Sequence, residues 1–171
     1  MKLLISFFVL ALAASAQATV KNIELKNAKG EVVGHASISE RRSGLLIDVD
    51  IKGLEAGEKA IHLHSAGLCE GPDFKSAGGH FNPEHKEHGK ENPKGAHMGD
   101  LPNLKVGADG TAKMKIPVAG VTFRPSASTL ATDTGSALVI HAAPDDYKTD
   151  PAGNAGARVA CGVIFPPKAK K

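Results

Sequence analysis

Tryptophan is absent from this 171-residue chain, tyrosine occurs once, and aromatic residues make up only 4% of it. Without aromatic faces or a dense basic stripe, the chain has no platform for stacking and holding nucleic acid. Charge of one sign is also scarce: the formal net charge is +3 with histidines neutral. Three of the positive residues, Lys168, Lys170 and Lys171, lie in a tail that reads as solvated. Long apolar runs are missing as well. The one candidate, residues 3–14, is too short for a comfortable membrane span. It follows Lys2 and precedes Ala16-Gln17-Ala18, the pattern of a secretory signal peptide over residues 1–18. No cysteine stands at that cleavage point, so no lipid anchor is expected. One domain is expected over residues 19–171.

Cysteine is nearly absent, with only Cys69 and Cys161. Behind an export signal, an even count suggests one disulfide, with two buried thiols as the alternative. A bridge would close a loop of about 90 residues and be worth roughly 2–4 kcal/mol.

Helical periodicity is never sustained for three turns. What is there instead is a set of short extended runs, most alternating apolar and polar residues and one, Ala137 to His141, apolar up to its final histidine. Residues 20–25, 32–38, 45–51, 101–106, 111–118, 137–141 and 158–164 read as strands, separated by turns such as Asn27-Ala28-Lys29-Gly30 and Ala108-Asp109-Gly110. This is the pattern of an antiparallel sandwich or barrel. Two stretches do not fit it. Residues 65–99 are rich in Gly, Pro, His, Lys and Glu and almost free of apolar side chains, and residues 142–157 form a second irregular loop. A structureless loop of that length needs something other than a hydrophobic core to order it, and metal ligation is the obvious agent.

The eight histidines are the chain's main surplus. His62 and His64 are two apart in a strand pattern, which puts both on one face and Leu63 on the other. With Leu63 in the core, the two imidazoles face away from it together, poised to hold one metal. The long loop adds His80, His88, His97 and Asp100, three imidazoles and a carboxylate that suit tetrahedral zinc. The bland alternative is that loop histidines are simply solvated. His35, in an early strand, and His85, in a charged run, read as having no ligand role.

The order and spacing of these groups carry a resemblance. His62-Leu63-His64, then Ser76-Ala77-Gly78-Gly79-His80-Phe81-Asn82-Pro83, His88-Gly89 and His97-Met98-Gly99-Asp100-Leu101 are similar to the metal-binding core of copper,zinc superoxide dismutases. The similarity continues through His141 and the run Gly153-Asn154-Ala155-Gly156-Ala157-Arg158-Val159-Ala160-Cys161-Gly162-Val163-Ile164. It covers the last two thirds of the chain; the first third is compatible but carries no motif.

The resemblance implies an all-β fold, an eight-stranded antiparallel Greek-key barrel with two long functional loops. It implies one copper and one zinc per subunit. Copper would be held by His62, His64, His80 and His141, and zinc by His80, His88, His97 and Asp100, with His80 bridging as an imidazolate. Asp145 would link the His62 and His88 rings, and Cys69 would pair with Cys161. The implied reaction converts superoxide to oxygen and hydrogen peroxide by Cu(II)/Cu(I) cycling, with Arg158 drawing in the anion and His80 carrying a proton. Lys148 would at most add to the positive field. A bacterial periplasm is the implied location, as monomer or homodimer. The triplet Lys59-Ala60-Ile61 departs from the family's usual His-Gly-Phe. Two other classes of protein use parts of the same set: a periplasmic copper and zinc buffer would need the histidines but not Arg158. A binding sandwich stiffened by one metal would leave His62, His64 and His141 without a role.

Overall fold

The structure is a computed structural model and describes residues 19–169. The expected signal peptide, residues 1–18, and the last two lysines of the tail lie outside the described residues.

Nine strands are present among the described residues: β1 (Val20–Asn27), β2 (Val32–Arg41), β3 (Gly44–Ile51), β4 (Gly57–Lys59), β5 (Ile61–His64), β6 (Leu104–Val106), β7 (Ala112–Ala119), β8 (Ser136–His141) and β9 (Arg158–Phe165). The only helical element described is a single 3-10 turn, Lys75–Ala77. Seven strands form one antiparallel sheet in the order β5-β8-β9-β1-β2-β3-β7, and β4 pairs with β6. The count of nine against an expected eight comes from one residue. Ala60 separates β4 from β5 in a continuous extended run that changes partner, from β6 to β8. The β6–β7 turn then brings the run's partner back beside the far end of the large sheet, held by the Gly107 N–H to Thr111 carbonyl bond of 2.8 Å. With β4 and β5 taken as one bent strand, the sheet curls into the expected barrel.

Alternation explains why these segments are strands. Along β3, Leu45, Ile47, Val49 and Ile51 are buried, while Leu46, Asp48 and Asp50 are less so. The buried set meets Ile38 of β2 and Ile116 of β7, whose registers are Ile38↔Ile47 and Ile47↔Ile116. Leu25, Leu138 and Ile140 complete the interior with the β5 residues Ile61 and Leu63. β5 and β8 depart from alternation, with every residue buried. Their inner faces pack in the barrel, and their outer faces lie under the two long loops. That second layer of cover positions the site.

Candidate metal centre

Leu63 is fully buried in the barrel core, so His62 and His64 project from the opposite face. They do not meet solvent there: both are fully buried. The long loop covers them by adding short backbone pairings to the free side of β5. The Leu63 N–H donates to the Gly99 carbonyl at 3.0 Å, and the Phe81 N–H donates to the Leu63 carbonyl at 2.8 Å. The approach at Gly99 leaves no room for a side chain, since a Cβ there would lie 2.4 Å from the Leu63 oxygen. These pairings set His64 opposite His80 and His62 opposite Asp100. His141 arrives from the end of β8, where its N–H donates to the Ala60 carbonyl at 2.8 Å.

Two clusters result. In the first, nitrogens of His62, His64, His80 and His141 lie within 4.8 Å of one another. His62 Nδ1 and the Nε2 atoms of His64, His80 and His141 are buried with no hydrogen-bond partner among the described residues. The other nitrogen of each ring is engaged. His64 Nδ1–H donates to the Gly78 carbonyl at 3.0 Å and His141 Nδ1–H to the Gly156 carbonyl at 3.4 Å. A carbonyl can only accept, so these contacts fix the tautomer and leave Nε2 as a bare lone pair. His62 Nε2 meets Asp145 Oδ2 at 2.9 Å. Burial, reinforced by nearby positive charge, pushes His64 down to about 2 and His141 to about 3. Burial also takes His80 down to about 4, against the opposing pull of Asp100. Four orphaned lone pairs converging in a water-poor site are costly unless a cation receives them.

The second cluster shares His80. The Nδ1 atoms of His80, His88 and His97 lie 2.9, 3.0 and 3.2 Å from Asp100 Oδ1, and His80 Nδ1 and His97 Nδ1 are 3.3 Å apart. A tetrahedral zinc with arms of about 2.0 Å has edges of about 3.3 Å, so the donor set and its spacing fit that ion. The other Asp100 oxygen accepts the backbone N–H groups of Gly89 and His97. Burial pushes the Asp100 carboxyl upward, but the three imidazoles and the Gly89 N–H outweigh it and hold the group far below the usual carboxylate range.

Asp145 joins the two clusters. Its Oδ2 faces His62 Nε2 and its Oδ1 faces His88 Nε2, each at 2.9 Å. Burial opposes its ionisation, and the hydrogen bonds from these two rings override that and lower its pKa. His88, placed between Asp100 and Asp145, is pressed down by burial and lifted more strongly by the two carboxylates, to about 9.

Arg158 opens β9 beside this assembly. Its Nη1 and Nη2 donate to the carbonyls of Phe74 and Gly78, both at 2.6 Å, and its remaining N–H groups stay uncommitted. It lines a cavity of about 470 Å³ together with His80, His141, Asn82, Lys86 and Asp150. Cys69 and Cys161 form a disulfide across 92 positions, fastening the loop that contains Phe74 and Gly78 to β9.

Other residues fall elsewhere. His35 and His85 are exposed and belong to neither cluster. Lys148 pairs with Glu91 at 3.1 Å and does not line the cavity; Lys86 does. The departures near the first histidine pair are absorbed locally. Lys59 is buried with its ammonium donating to the Ala142 carbonyl at 2.7 Å, Ala60 has no positive φ, and Ile61 joins the core. Asn103, Tyr147 and Asp150 support the site without a motif of their own. Asp150 Oδ1 accepts the His88 backbone N–H at 2.7 Å.

A curled antiparallel barrel with two histidine clusters sharing one ring defines a class of protein, a β-barrel carrying a candidate two-metal centre beneath two loops. The copper/zinc superoxide dismutase family matches residues 29–164, and the chain belongs to that family. It is 47% identical over 159 residues to superoxide dismutase [Cu-Zn] 2 of Aquifex aeolicus, covering 91% of this chain and 93% of the relative. Among solved structures, a SOD-like protein from Bacillus subtilis is 39% identical with a TM-score of 0.83, over 87% of this chain and all of that one. Cu/Zn superoxide dismutase from Brucella abortus is 30% identical with a TM-score of 0.70, over 85% and 99%.

Proposed function

We propose that this chain is a copper,zinc superoxide dismutase in which His62, His64, His80 and His141 hold copper and His80, His88, His97 and Asp100 hold zinc. The observation that carries the reading is the convergence of four buried imidazole nitrogens that have no partner among the described residues. All-imidazole ligation suits copper, and the mixed nitrogen and oxygen set suits zinc. Bound copper would supply the one-electron chemistry that turns two superoxide anions and two protons into oxygen and hydrogen peroxide.

The residues of the chain do the rest. Arg158, anchored on two carbonyls, lines the cavity with N–H groups to spare and binds a small anion as a fixed charge. Lys86 also lines the cavity, but its ammonium is paired with Glu84 at 2.6 Å, which leaves Arg158 as the charge aimed at the substrate. His80 is the ring common to both clusters, and its Nε2 is the buried atom suited to hold a proton for the peroxide product. Asp145 keeps the His62 and His88 rings aimed. The export-type segment at residues 1–18 and the disulfide support a mature chain from residue 19 in the periplasm of a bacterium.

Superoxide decay after pulse radiolysis, with the mature protein loaded with copper and zinc, tests this. Near-diffusion-limited decay that slows with added salt is expected, as positive potential steers an anion. Decay no faster than in buffer would refute the enzyme and leave metal buffering as the reading.

A further inference from the structure

We infer that Tyr147 is a positioning residue for Asp145, and through it for the His62 and His88 rings together; the inference rests on the assignment of those rings to copper and zinc. Tyr147 lies two residues beyond Asp145 with φ at 63°, a left-handed conformation that an aromatic residue adopts only when its surroundings impose it. Its N–H, its carbonyl and its phenol oxygen are all engaged. Its N–H donates to Asp145 Oδ1 at 2.6 Å, and its carbonyl accepts the Glu91 N–H at 3.0 Å. Its phenol oxygen accepts the Asn103 N–H at 2.8 Å, and the Lys90 ammonium sits 3.7 Å from the centre of its ring.

These contacts reach three segments that each end beside a ligand. Lys90 and Glu91 follow His88, Asn103 follows Asp100 by three residues, and Asp145 touches His62 and His88. The approach to the first segment is tight: a Cβ on Gly89 would lie 2.1 Å from the Tyr147 carbonyl oxygen. Asn103 completes the frame. Its Nδ2 donates to the Asp145 carbonyl and its Oδ1 accepts the Asp145 N–H, both at 2.9 Å. With Oδ1 of Asp145 bound by Tyr147 N–H and by His88, a shift at Tyr147 turns the carboxylate and moves both rings. Loops this poor in apolar side chains have hydrogen bonds as their means of holding such an angle.

The test is Tyr147→Phe, which keeps the ring, the stacked ammonium and the backbone contacts but removes the acceptor of the Asn103 N–H. Zinc should be held several-fold less tightly in chelator competition, a smaller loss than the about 10–100-fold expected when a ligand's direct partner is removed. The visible spectrum of cobalt placed in the zinc site and the electron paramagnetic resonance of bound copper should shift together. Asn103→Ala should produce the same shifts, and the double variant should add little to either single one. Tyr147 is the only tyrosine and the chain has no tryptophan, so intrinsic fluorescence of the unaltered protein should also change on zinc addition. Unchanged zinc affinity and unchanged spectra in Tyr147→Phe would overturn the inference while leaving the metal assignment standing. A wild-type chain that takes up neither metal would overturn both.

Discussion

Asp145 Oδ2 and His62 Nε2 lie 2.9 Å apart with both side chains fully shielded from solvent. The same carboxylate holds His88 through its other oxygen, so one residue outside both clusters aims a ring in each. Asp145→Ala should therefore weaken zinc retention by about 10–100-fold and alter the copper spectrum as well. Competition with a chelator measures the first and electron paramagnetic resonance the second. Zinc held as tightly as before would show that Asp145 aims nothing.

Arg158 contributes a charge and a shape. Arg158→Ala should leave both metals bound and reduce the rate constant for superoxide by about tenfold or more, with a weaker dependence on salt. Arg158→Lys keeps the charge but not the planar fork that reaches Phe74 and Gly78, so it should fall between the two. Metal analysis beside the decay rate separates these effects from loss of the centre. Turnover unaltered in Arg158→Ala would remove the residue from the reaction.

Removing the metals should loosen the two loops more than the barrel. Four buried nitrogens would lose their partner, and residues 65–99 have little core of their own. A ligand present at about a thousand times its dissociation constant adds roughly 4 kcal/mol to stability, and that amount should vanish on chelation. Hydrogen exchange should rise over residues 65–99 and 142–157 while β2, β3 and β7 stay protected. Uniform exchange across the chain would argue against loops ordered by metal.

An acid-sensitive contact lies away from the metals. The Glu40 carboxylate accepts the Thr122 hydroxyl and, at 3.2 Å, the Phe123 N–H, and it faces the Arg124 guanidinium. The Thr122 bond is the largest influence and, with the Phe123 and Arg124 contacts, outweighs burial to hold the group below its ordinary value. A folded carboxyl held low contributes stability that is present above its unfolded pKa and is lost as pH falls through the folded one. The stability gap between wild type and Glu40→Gln should therefore narrow as pH drops from about 6 to about 3. Denaturant titrations at each pH measure it, and a constant gap would contradict the assignment of charge.

Much of this was legible in the sequence, and the rest was hidden for physical reasons. Alternation located β1, β2, β3 and β7 because their two faces differ, β8 was legible as a short apolar run, and β9 as the strand that closes the chain. It gave no hint of β4, whose Gly57-Glu58-Lys59 has no apolar alternation and pairs only with the short β6. β6 begins at Leu104 rather than at 101; the Asn103 backbone N–H is taken by the Tyr147 hydroxyl instead of a neighbouring strand. The histidines were readable as spaced ligands; that His62 and His64 would be wholly enclosed was not, since their cover comes from residues 80 and 99 folding back. Tyr147 and Asn103 escaped because half their contacts run through backbone groups, which every residue possesses.

The short pairings of β5 with Phe81 and Gly99 have a consequence beyond holding ligands. β5 has β8 on one side only, and its other side is occupied by segments that the second histidine cluster keeps in place. When those segments swing away, the strand is left with bare N–H and carbonyl groups, a template on which a second molecule can add a strand of its own. Holding those segments against β5 is thus also what would keep that edge of the sheet covered, and loss of the metals would be expected to expose it to a second molecule.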